Sequence, residues 1–204
     1  AACLFPAKEL SDWSIAEDFA NHVLALGERL GSVRFSQEAM AFRGLLLNAQ
    51  GRSREALVSI RQAIEEAREL GLSFGGPRMF GHLIRITEDP GEQDRARSEA
   101  ETIIENGCVG HNHFFFYRDA IELMINRCNW NEVCRYADAL AEFPPGEKLA
   151  WPEFYVARAR EIVSWERGTR DHQAISALGR LMEAARGYGL VSSIPAIERA
   201  LEKA

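Results

Sequence analysis

The 204-residue sequence predicts an all-α protein, an α-solenoid of antiparallel helical hairpins ending in a C-terminal capping helix. Three observations predict it. Apolar residues recur at three- and four-residue spacing in segment after segment. Equivalent helix starts return at Ser11, Gly51, Asp89, Cys128 and Gly168, separations of about 40, 38, 39 and 40 residues. Strand signals, the strict alternation of apolar and polar residues, are absent. A unit of that period cannot bury its own apolar face, so neighbouring units have to stack.

The clearest helix lies in GRSREALVSIRQAIEEARELG, Gly51 to Gly71, where Ala56, Leu57, Ile60, Ala63, Ile64, Ala67 and Leu70 form one stripe. Ser53 is placed to cap it, Glu55 puts negative charge at its positive end, and Gly71 can take positive φ, so the helix is predicted over 54–70. Ser11-Asp12-Trp13 leads into Ala16, Phe19, Val23, Leu26 and Leu30, with Ser14 and Glu17 spaced as a capping box. Further copies carry Ala96, Ala100, Ile103 and Ile104 to a stop at Gly107; Val133, Ala137 and Leu140 after Trp130; and Ala174, Leu178, Leu181, Met182 and Ala185 after Gly168. Between them lie partner helices over 35–49, 79–86, 114–128 and 151–165, which makes the unit a hairpin. Helices are expected to stop at Gly75-Gly76-Pro77, Asp89-Pro90-Gly91, Gly107, Gly110 and Pro144-Pro145-Gly146. Residues 193–204 read as the closing helix, with Ser193 as cap, Pro195 in the first turn, Ile197 and Leu201 inward, and Glu198, Arg199, Glu202 and Lys203 outward. The first helix, Ile15–Leu30, matches the second helix of a hairpin, and the sequence lacks a starting methionine; the expectation is one domain over 1–204, part of a longer protein.

Composition narrows the function class. Apolar residues at 47% and charged residues at 26% exclude a disordered chain. No run approaches the roughly 18 apolar residues of a spanning helix, and the amino end lacks a basic region followed by an apolar core, so no membrane partner is expected and the location is read as cytoplasmic. A net charge of -6, from 24 basic and 30 acidic residues mixed throughout, gives no basic track for nucleic acid. Cys3, Cys108, Cys128 and Cys134 have no C-x-x-C spacing and read as free thiols.

The hairpin beginning near Met40 resembles a tetratricopeptide repeat, with small Gly44 and Ala56 where two helix backbones approach, Leu47 at the aromatic position, and Ile60 and Ala63 following. It departs from that pattern in having Arg43 at an apolar position, no proline after Ala63, and a period nearer 39 than the usual value of about 34. GCVGHNHFFFYRDAIE, Gly107 to Glu122, with Trp130 and WPEFYVARAR, Trp151 to Arg160, resembles the C-terminal repeats of bacterial proteins that join a class III adenylate or guanylate cyclase, a P-loop ATPase and tetratricopeptide repeats. That resemblance implies a regulatory or scaffolding arm. The phosphate-cradling G-x-x-x-x-G-K-S/T segment and a cyclase metal-binding motif are both missing, so neither activity transfers to these residues.

First helices of tetratricopeptide hairpins line the concave side, which makes Asn48, Arg78, His82, Arg85, Arg118, Tyr155 and Arg158 the candidate binding residues. Their arginines suit an acidic peptide or carboxylate, which guanidinium grips through paired charge-assisted bonds. Cys108, His111 and His113 are three candidate zinc ligands within six residues, but a fourth ligand at suitable spacing is lacking. The competing reading has Asn112 capping a helix and the imidazoles bonding across the turn. Phe114, Phe115, Phe116 and Tyr117 point about 100° apart and read as inter-repeat packing rather than a base-stacking platform. The leading expectation is a non-catalytic scaffold without a cofactor, binding a protein, a peptide or other domains of its own longer chain. A small-molecule-sensing regulatory domain is the alternative, and a metal-dependent enzyme using Cys108, His111 and His113 the third.

Overall fold

The computed structural model describes residues 13–143 and 149–202, and every regular element among them is helical. In chain order these are α1 (Trp13–Leu30), α2 (Val33–Ala49), α3 (Ser53–Leu70), α4 (Gly76–Ile86), α5 (Pro90–Glu105), α6 (His111–Asn126), α7 (Trp130–Ala141), α8 (Ala150–Glu166), α9 (His172–Gly187), a 3-10 turn at Val191–Ser193, and α10 (Ile194–Leu201). None of these helices is long and apolar enough to cross a membrane. The Ser11 repeat point, the Ser14 side chain, the Pro144-Pro145-Gly146 stop and Lys203 lie outside what is described.

The chain divides into two compact units, Ala1–Asp119 and Ala120–Ala204, with the division inside α6. In the first, α1 packs on α2, α2 on α3, α3 on α4 and α4 on α5, and α2 also packs on α4. In the second, α7 packs on α8, α8 on α9 and α9 on α10, while α8 also packs on α10. The predicted stripes supply these contacts: Ala56, Ile60, Ala63, Ile64 and Ala67 of α3 are buried, as are Val133, Ala137 and Leu140 of α7 and Ala174, Leu178, Met182 and Ala185 of α9. Each fully buried Ile, Leu or Val contributes about 1.5–3 kcal/mol through the water it no longer meets. Gly44 permits the α2–α3 approach, since a Cβ there would stand 2.3 Å from Ile60 Cγ1 and 3.1 Å from the Ala56 carbonyl oxygen.

One hydrogen-bond pattern ends five helices. The amides of Ser32, Arg52, Asn129, Thr169 and Leu190 donate to the carbonyls of Gly27, Leu47, Met124, Ser164 and Ala185, five residues back, at 2.8–3.1 Å. This is the six-to-one bond of a Schellman motif, which needs positive φ at the residue between helix and loop. Gly31, Gly51, Gly168 and Gly189 supply it, and Cys128 takes φ +52° in the same place. Cys128 takes the position in its turn that Gly51 and Gly168 hold in theirs, so the shared turn is imposed there even on a residue with a Cβ.

The structure corrects several local expectations. Ser53 does not cap α3: the helix starts on it, and its hydroxyl donates to Asn48 Oδ1 at 2.9 Å. Pro77 does not stop a helix but sits in the first turn of α4, where its missing N–H is not needed. Ser193 lies in the 3-10 turn and donates to the Leu190 carbonyl at 2.7 Å, without capping α10. Asp89 and Asp171 do cap, accepting from Gly91 at 2.9 Å and from Ala174 at 2.8 Å. In α1, Phe19, Leu26 and Leu30 are exposed, contrary to their reading as a core stripe. Among the described residues α1 meets α2 through Ala20 and Gly27, whose ideal Cβ would stand 2.8 Å from Ser36 Oγ, and that face lies roughly 100° round the helix from the large residues.

Candidate functional site

Five of the seven predicted binding residues are inside the protein. Arg78, His82, Arg118, Tyr155 and Arg158 expose 5% or less of their surface, so they do not line an open concave face. Their helices carry apolar residues on most sides; in α4, every residue from Gly76 to Ile84 is buried. A charged side chain on such a helix has to find an internal counter-charge. Arg78 of α4 bonds Glu38 of α2, both side chains under 10% exposed, and lies 5.2 Å over the Phe42 ring. The His82 ring lies 6.0 Å from that of Phe42. Asp119 of α6, wholly buried, receives Arg118 Nε at 2.8 Å and Arg85 Nη1 of α4 at 3.2 Å. Arg158 of α8 donates from Nε to the Ser193 carbonyl at 2.9 Å and from its two terminal nitrogens to the Glu122 carboxylate of α6. Tyr155 packs against Trp151 and Phe154 at 4.8 and 5.3 Å between ring centres. Asn48, half-buried, accepts the Ser53 hydroxyl, and Arg85 keeps partial exposure. The carboxylates expected from an outside ligand are therefore supplied by the chain itself.

Asn112 organises the turn between α5 and α6 differently from the capping role expected of it. It is wholly buried within the first turn of α6, and its Oδ1 accepts the backbone N–H of Arg78 at 3.2 Å. Arg78 is the third residue of α4, and Gly75 before that helix has no side chain to offer. Asn112 thus caps α4 from 34 residues away. Its amide nitrogen bonds the carbonyls of Ser73, Phe74 and Val109 at 3.0–3.3 Å.

The candidate zinc ligands do not converge. Cys108 Sγ lies 3.8 Å from His113 Nδ1, whereas His111 turns to the rings of Phe74 and Phe115, at 5.7 and 6.4 Å. Among the described residues no three His, Cys, Asp or Glu side chains are grouped as a metal needs. Burial holds the His111 imidazole below its usual pKa, with Arg78 adding to the effect and Glu38 and a hydrogen bond to the Phe74 backbone opposing it. Burial lowers His113 also, and raises the Cys108 thiol. A neutral imidazole beside a protonated thiol is the wrong electrostatic setting for thiolate chemistry. Phe116 is fully buried and its aromatic neighbours are half-buried, which makes the Phe114–Tyr117 run packing surface.

Two open hollows lie on α1, α2 and α3. A hollow of about 260 Å³ is lined by Met40, Arg43, Leu47, Glu55, Val58, Ser59 and Gln62. A second, of about 170 Å³, shares Arg43 and Leu47 and adds Glu17, Ala20, Asn21, Leu46, Gln50 and Arg52. Arg43 stands between the two, exposed, with no ion pair among the described residues. Sequence reasoning noted Arg43 only as a departure from the repeat pattern, and that departure was the available signal. Comparison of the chain with protein-family models, with curated proteins and with solved structures finds no match.

Proposed function

We propose that the chain is a non-catalytic helical-repeat scaffold, a tetratricopeptide-like α-solenoid of hairpins that binds a protein segment, in the role of a regulatory arm of a cytoplasmic bacterial signalling protein. The observation that carries the reading is the set of side-chain pairs spaced by about one repeat. Glu38 meets Arg78, 40 residues on, and Glu122 meets Arg158, 36 residues on. On the second helices, Arg61 meets Glu92 and Arg68 meets Glu99, each 31 residues on. Alternate helices touching at intervals of 31–40 residues are what a stack of hairpins requires. The buried charges are spent on one another, so they hold units in register and do not act on a substrate. Partner contact then falls to the hollows either side of Arg43, whose guanidinium suits a carboxylate placed between apolar side chains.

The test mixes the chain with the remaining domains of the signalling protein and follows amide exchange. Protection over residues 40–62, lost in Arg43→Glu, is the expected result. Unchanged exchange there, with saturable thermal stabilisation by a metabolite instead, rejects the scaffold in favour of a small-molecule sensor.

A further inference from the structure

From the exposed face of α1 we infer that the chain self-associates, two copies pairing antiparallel along this helix about a two-fold axis near His22 and Val23. The inference goes beyond the scaffold reading and does not depend on it. Among the described residues, twelve large apolar side chains are exposed, and six of them, Ile15, Phe19, Leu26, Leu30, Val33 and Phe35, fall between residues 15 and 35. Four lie on α1, exposed by 46, 37, 41 and 62% in chain order. At about 100° per residue they occupy an arc of about 60°, a single stripe rather than scattered surface residues. The face that α1 gives to α2, marked by Ala20 and Gly27, is a different one.

The stripe is symmetric in a way that selects its occupant. Its spacings are four, seven and four residues, the same read in either direction. Turned end for end about its midpoint, the stripe lays Ile15 on Leu30 of a second copy and Phe19 on Leu26. An isologous two-fold contact requires that self-complementarity. Charge agrees. Asp18 and Arg29 sit on one flank of the stripe, near opposite ends, and neither has an ion pair among the described residues. In an antiparallel two-fold pair the same flanks meet, which brings Asp18 within about two residues, or 3 Å along the axis, of Arg29 from the other copy. The contact is then an apolar seam edged by two identical ion pairs.

Sedimentation equilibrium of the 204-residue chain over a concentration series tests this. A reversible dimer is expected, with Phe19→Glu abolishing it. Asp18→Arg and Arg29→Asp should each weaken it by about tenfold, since each places two like-charged pairs at the rim, and the double variant should recover wild-type association. Both positions are exposed, so far-UV circular dichroism should report an intact fold in every variant. A chain that stays monomeric to about 1 mM, the weak end of specific association, overturns the inference. So does a dimer indifferent to both charge reversals.

Discussion

At the scale of single residues, the firmest structural role belongs to Asn112, which satisfies groups from three chain segments at once. A buried amide serving as the cap of a helix 34 residues earlier holds the Ser73–Gly75 turn, the start of α4 and the start of α6 together. Asn112→Ala should lower stability by about 2–4 kcal/mol, the sum of a lost cap and of carbonyls left buried without a donor. Urea denaturation followed at 222 nm measures it, and a loss within error of zero would show that the cap in trans contributes nothing. The asparagine was legible as a cap because its type and its place before an apolar run are local features. That it caps α4 was not legible, because the choice between two helix starts depends on how the chain folds back. The same limit applied to Ser53, whose hydroxyl bonds Asn48 and does not cap its own first turn.

The elements show a related split. Helix stripes and ends were readable, since periodicity and glycine position act within one helix, and α3 began within one residue of its expected start. The inward turn of Arg78, Arg118 and Arg158 was not readable from their own helices, because a rotation of about 100° moves a side chain from groove to core and the sequence fixes phase no better than a residue. A usable signal lay 36–40 residues away: Glu38 precedes Arg78, and Glu122 precedes Arg158, at nearly the spacing of the helix starts read in the sequence. The α2–α4 contact depends on the first of these pairs, whose side chains are 8% and 6% exposed. Glu38→Gln leaves the Arg78 charge buried without its counter-charge and should cost about 3–5 kcal/mol. Replacing both partners, Glu38→Leu with Arg78→Met, removes the two charges together and should recover most of that loss. Chemical denaturation of the wild type, the single and the double variant separates the cases; a single variant within about 1 kcal/mol of wild type would mean that the pair is solvated.

For the whole molecule, the all-α class followed from features each helix carries by itself, and the two compact units follow from contacts that run mainly between neighbours in sequence. A chain built in that way keeps structural damage local, whereas a single core shared by all helices would spread it. Ala56 offers the place to tell these apart. It is fully buried, and its carbonyl oxygen stands 3.1 Å from where a Gly44 Cβ would be, so α2 and α3 have no spare room at that level. Ala56→Phe should overpack this pair and destabilise it by about 1–3 kcal/mol. Native-state amide exchange should then quicken in α2, α3 and α4 while α8, α9 and α10 keep their wild-type rates. Equal acceleration in all of them would mean that the helices unfold as one cooperative body, and the repeat-array reading would fall with that result.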